Sequence, residues 1–180
     1  MIKKYPDCVR EYGTPYEVQK AVDSGKIHKI EKGVYSDIPD VSTLAIIVAK
    51  YPKAIITLDT AFYYHNLTDV VPDIYYLATT SGTRGIRDER IKQIFIKNEF
   101  FELGITTMKR RDAEFRIYDK ERMLIELARF KNKLPYDYYK EIIHSYREII
   151  YDLDVKRIQE YAASFPLSRT ITDILEREVF

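Results

Sequence analysis

A chain of 180 residues with 29 lysines and arginines against 28 aspartates and glutamates has a formal net charge of +1, so no global basic field points to nucleic acid. Hydrophobic residues at 46% and charged ones at 32% exclude a disordered chain and supply material for a core. The single cysteine, Cys8, excludes an intramolecular disulfide, and the longest apolar run, residues 44–49, is too short for a bilayer; a cytoplasmic protein without membrane contact is expected.

A short helix is expected over residues 5–12, with Pro6 in its first turn and Gly13 closing it. Thr14 opens a second. Pro15 suits the first helical position, Glu17 completes a Thr-x-x-Glu capping box, and Val18, Ala21 and Val22 form a narrow apolar face. Gly25 suits the left-handed position that ends such a helix. Ile27, Ile30, Val34 and Tyr35 then supply strand formers on either side of a bend at Glu31, Lys32 and Gly33. Two helices followed by a tight ribbon make the later part of a winged helix-turn-helix. The helix that normally precedes them has no residues to form it, so residues 1–37 read as a truncated winged helix-turn-helix. Over residues 1–36 seven basic residues face five acids, a mild positive bias.

Residues 37–40 are polar and contain Pro39, which marks a boundary, with residues 38–180 as a second domain. Val41, Leu44, Ala45, Val48 and Ala49 fall on one helical face. A strand follows at 54–56, a helix capped by Thr57 or Asp59 through Leu67, a strand at 74–78, a glycine-interrupted loop at 79–88 and a strand at 91–96, apolar on both faces. Residues 105–109 and 114–118 form a hairpin around Arg111 and Asp112. The last third is helical, with helices opened by Asp119, by Pro135, by Asp154 and by Ser168. The expected class is α+β: a small winged module, then a mixed sheet of four or five strands with a helical C-terminal third.

Chemistry-bearing clusters are few. His28, His65 and His144 fall in different elements without partners at ligand spacing, so neither metal nor cofactor is called for. Residues 80–87, Thr-Ser-Gly-Thr-Arg-Gly-Ile-Arg, lack the Gly-Lys-Ser/Thr ending of a phosphate loop; a solvated connection is the simpler reading, with Arg84 and Arg87 as possible phosphate contacts. Lys109, Arg110 and Arg111 read either as charges guarding a hairpin edge or as further phosphate contacts. Glu114-Phe115-Arg116 has an arginine where a nuclease wants lysine, and no activated nucleophile is visible. Catalysis is therefore not expected. In the helix–ribbon segment, Tyr16, Gln19 and Lys20 are placed to meet base edges, and Lys26, His28, Lys29 and Lys32 to line phosphates. The residues alone leave this open against a helical hairpin that only packs on the larger domain.

Five segments, taken in order, carry a resemblance. They are Gly25-Lys26-Ile27; Lys32-Gly33-Val34-Tyr35; Leu44-Ala45-Ile46-Ile47; the run Ile55-Ile56-Thr57-Leu58-Asp59-Thr60-Ala61-Phe62-Tyr63-Tyr64-His65-Asn66-Leu67; and Asp119-Lys120-Glu121-Arg122-Met123-Leu124. Over residues 13–180 the chain resembles the AbiEi antitoxin family, the antitoxin half of abortive-infection, type IV toxin–antitoxin systems. It departs from that pattern at its front end. The resemblance implies a winged helix joined to an α/β antitoxin domain and repression of its own operon. It also implies a nucleotidyltransferase-type toxin encoded nearby and DNA-facing positions at Tyr16, Gln19, Lys20 and residues 26–32. A protein-interaction module without DNA binding is the alternative.

Overall fold

Strand β1 (Ile2–Lys4) precedes the first helix, an element the sequence pattern does not announce because only one of its three residues is apolar. It appears in the computed structural model, which describes residues 2–180. Helices α1 (Tyr5–Tyr12) and α2 (Pro15–Asp23) follow where the cap signals place them. The hydroxyl of Thr14 accepts the Glu17 N–H at 3.2 Å. The reciprocal half of the capping box is replaced by a 3.9 Å approach of the Glu17 carboxylate to Lys20. Gly25, at φ +72°, takes the left-handed step that releases the chain into strand β2 (His28–Glu31). Strand β3 (Val34–Ser36) returns antiparallel after a turn at Gly33, φ +82°, with an irregularity between Lys29 and Glu31.

The three strands form a sheet in the order β1-β3-β2, with Ile2 opposite Ser36 and Lys4 opposite Val34. Cys8, Val18, Ala21, Ile27 and Tyr35 make the core beneath it. Burial pushes the Cys8 thiol up, away from the reactive thiolate. Helix α3 (Thr43–Lys50) then packs against β1 and β3. At its C-terminal end Lys4 donates to the Lys50 carbonyl at 3.2 Å, and Lys50 pairs with Glu31 at 2.9 Å.

The structure divides differently from the expectation of a boundary at residue 37. Its first compact unit is Met1–Ala54 together with Thr107–Phe115, and the second is Ile55–Thr106 with Arg116–Phe180. The polar link at 37–40 is a loop inside the first unit, because α3 covers the small sheet. The module has two helices before its wing and gains a third after it.

The second unit holds β4 (Ile55–Ile56), α4 (Leu58–Tyr64), β5 (Tyr75–Thr80), β6 (Ile91–Ile96) and α5 (Asn98–Phe101). Next come β7 (Ile105–Arg110) and β8 (Ala113–Tyr118), whose hairpin tip belongs to the first unit. Helices α6 (Lys120–Phe130), α7 (Tyr136–Glu148), α8 (Val155–Ser164) and α9 (Ser168–Glu178) complete it. The sheet order is β6-β5-β4-β8-β7; β4 runs antiparallel to β5 and parallel to β8, so the sheet is mixed. The class is α+β, as expected.

Asp119 and Asp154 cap α6 and α8 by accepting the N–H groups of Arg122 at 2.7 Å and Arg157 at 3.1 Å. Thr57 sits at the cap of α4 but turns its hydroxyl to the Met123 sulfur, and Leu167, at φ +62°, precedes α9 where Ser168 was the expected cap. Helix α6 is buried from Glu121 to Ala128 and packs against α4, α8 and α9. At its centre Arg122 is fully buried and donates to the carbonyls of Phe100 (2.8 Å) and Leu103 (3.2 Å). It also holds Glu126 Oε1 through Nη2 at 2.6 Å and Nε at 3.2 Å. Its guanidinium lies 4.6 Å from the ring centre of Tyr118 and 4.4 Å from that of Phe165.

Candidate nucleic-acid interface

The apolar stripe of α2 decides which side chains the helix displays. Val18 and Ala21 are buried, so Tyr16, Gln19 and Lys20 emerge on the opposite side, Tyr16 with 73% of its surface exposed. A large aromatic that open at the start of a helix contributes little to the core. Gln19 is not idle: its Nε2 donates to Asp23 Oδ1 at 2.8 Å, one turn on.

On the ribbon, Lys29 and Lys32 are exposed and His28 is half-buried. The acid of the ribbon, Glu31, is engaged by Lys50 at 2.9 Å, so it is already partnered. Lys26 is exposed and its ammonium lies 5.1 Å from the ring centre of Tyr12, a cation–π contact that fixes its position without cancelling its charge. Lys3 behaves differently. Bonded to Glu11 and Asp37 at 2.8 and 3.3 Å, it is held well above the ordinary lysine range, first by the Glu11 hydrogen bond, and its charge is compensated inside the protein.

Charge is unevenly shared between the two units. The first has twelve lysines and arginines against nine acids, the second seventeen against nineteen. The near-neutral whole thus conceals a basic unit and an acidic one. Lys109, Arg110 and Arg111 are exposed and fall in the basic unit. Arg84 and Arg87 are also exposed but fall in the acidic one. Their loop is a pinned strand connection: Gln93 accepts the Ile86 N–H at 2.7 Å and donates to Thr79 at 2.7 Å, and the chain leads into β6 instead of opening a helix. It offers no phosphate cradle of the helix-terminus kind.

Neither the protein-family models nor the curated proteins compared with this chain give a match.

The histidines stand apart. His65 is buried, its Nε2 2.7 Å from the Tyr118 carbonyl, and His144 is exposed beside Glu148 at 3.3 Å. Among the described residues no group of three His, Cys, Asp or Glu side chains is placed to hold a metal ion, and no helix is long and apolar enough to cross a membrane. Arg116 pairs with Glu102 at 3.1 Å.

Two features of the second unit escape a sequence reading. A cleft of about 170 Å³ is lined by Phe95, Phe100, Glu126 and Arg129. It is smaller than a usual ligand site, and both Glu126 oxygens are bound by arginines. Asp59 on α4 has a buried oxygen with no hydrogen-bond partner among the described residues. Burial raises its pKa against the opposing effects of the Tyr76 hydroxyl and Lys92. Burial and Asp59 together push Tyr76 up to about 12.

Proposed function

We propose that this protein is a DNA-binding repressor of its own operon and the antitoxin of a type IV toxin–antitoxin pair. The observation that carries the first half is the outward presentation of Tyr16, Gln19 and Lys20 beside the exposed ribbon lysines, on the unit with excess positive charge. The connectivity supports it, since a second helix with an exposed N-terminal turn followed by a wing is the arrangement that enters a major groove. Base contacts fall to Gln19 and Tyr16, phosphate contacts to Lys20, Lys26, Lys29 and Lys32. The resemblance to the AbiEi family supports the second half, with a nucleotidyltransferase-type toxin as functional partner.

Fluorescence anisotropy with the duplex upstream of the gene tests the repressor. The four lysine–phosphate contacts of helix and wing contribute about −3.6 to the slope of log affinity against log salt. Lys29→Ala weakens binding to all sequences and makes the slope shallower by about 1, whereas Gln19→Ala relaxes preference at one base pair. Equal affinity for promoter and scrambled duplexes refutes sequence-specific repression. Co-expression with an adjacent nucleotidyltransferase-type reading frame tests the antitoxin: restored growth is expected, and persistent arrest refutes it.

A further inference from the structure

The basic tip of the β7–β8 hairpin, Thr107–Phe115, belongs to the same compact unit as the helix–wing segment Met1–Ala54. A tether accounts for this. The Asp112 carboxylate accepts the backbone N–H of Ser42 at 2.8 Å, and Ser42 caps α3 through its own hydroxyl, which accepts the Ala45 N–H at 3.1 Å. The Ser42 backbone bond holds the Asp112 carboxyl below its usual range, so the acceptor is ionised at neutral pH. Ala113 and Phe115 are buried at the base of the tip, while Lys109, Arg110 and Arg111 are exposed, and Arg111 turns the chain at φ +47°.

Edge protection explains cations on an outer strand such as β7. It gives no reason to bind the tip to a helix cap 70 residues earlier in the chain. We propose that Lys109, Arg110 and Arg111 form a fixed phosphate-contacting arm of the DNA-binding unit, positioned by the Asp112–Ser42 hydrogen bond. The inference rests on the DNA-binding reading above and extends the footprint beyond helix and wing. Phosphate is the matching ligand because exposed, adjacent lysine and arginine side chains at a hairpin tip supply positive charge to a backbone.

The test uses the full chain, the promoter duplex and a scrambled duplex of equal length, with anisotropy read across a potassium chloride series. Lys109→Gln combined with Arg111→Asn removes two charges, asparagine being chosen because it accepts a positive φ. Affinity for both duplexes falls about tenfold and the salt slope becomes shallower by about 2. Lys109→Gln alone, at an exposed position, gives about half that slope change. Asp112→Ala separates a positioned arm from loose charge. Removing an acid beside cations tightens binding if charge alone matters, whereas loss of the tether weakens it several-fold. Circular dichroism melts establish that each variant is folded at the assay temperature. An unchanged slope in the double variant, or tighter binding by Asp112→Ala, overturns the inference while the repressor reading stands. Failure of the unaltered chain to bind either duplex overturns both.

Discussion

Replacing Arg122 with methionine keeps the packing of the side-chain stem and removes every polar contact of its head. The guanidinium is fully buried and gives two bonds to Glu126 and one each to the carbonyls of Phe100 and Leu103. Breaking a buried pair from one side costs about 3–5 kcal/mol, because the other charge is left desolvated. Arg129, still 2.6 Å from Glu126 Oε2, offsets part of that, while the two orphaned carbonyls add roughly 1 kcal/mol each. The expected loss is about 4 kcal/mol, equivalent to a fall in Tm of about 12 °C for a chain of this size. Urea denaturation at pH 7 followed by far-UV circular dichroism measures it. Combining Arg122→Met with Glu126→Met recovers more than half of the loss, since the stranded carboxylate is gone and the Arg129 side chain, 33% exposed, can be solvated. A single-variant loss under about 1 kcal/mol, or a double variant as unstable as the two single losses added, would refute the assignment of a desolvated ion network to the centre of α6.

Further outcomes can be measured. Gly104→Ala places a Cβ 2.5 Å from the Arg122 Cβ at φ +77°, so it costs about 3 kcal/mol; Gly33→Ala, at φ +82° with nothing within 4 Å, costs only about 1 kcal/mol. Equal losses in urea melts of the two variants would refute the steric argument. Asp59 has a raised folded-state pKa, so its contribution is favourable while protonated and is lost as pH rises through that value. Asp59→Asn therefore raises Tm at pH 7, and the gain disappears once pH falls below the ordinary aspartate value of 3.8; a gain independent of pH over thermal melts contradicts this. Asp23→Ala frees Gln19 and removes an acid from the C-terminal turn of α2, so anisotropy should show tighter binding to the promoter duplex, and weaker binding would place Asp23 among the useful contacts.

The parts legible in the sequence are those set by local chemistry. Thr14, Asp119 and Asp154 cap helices because a short oxygen-bearing side chain meets the first free N–H groups whatever surrounds it. The exposure of Tyr16, Gln19 and Lys20 follows from the spacing of Val18 and Ala21. Even the Gln19–Asp23 bond has a local signature, since an amide and a carboxylate one turn apart pair along a helix. What escapes is whatever depends on distant chain. Arg122 and Glu126 have the spacing of an exposed helical ion pair, and only the burial of α6 turns them into a core network. The polar run at 37–40 has the composition of a linker, but the apolar face of α3 is used on the sheet before it. Asp112 looks like an ordinary turn residue until Ser42 is beside it.

The return of Thr107–Phe115 to the first unit has a consequence for biosynthesis. A nascent chain emerging at about 5–20 residues per second usually completes its leading domain before the next is made. Here the leading unit waits for a piece encoded after more than fifty intervening residues, 55–106. The first unit therefore becomes whole only when residues 55–106 and the hairpin tip after them have been translated, and a chain that stops near residue 54 lacks part of it.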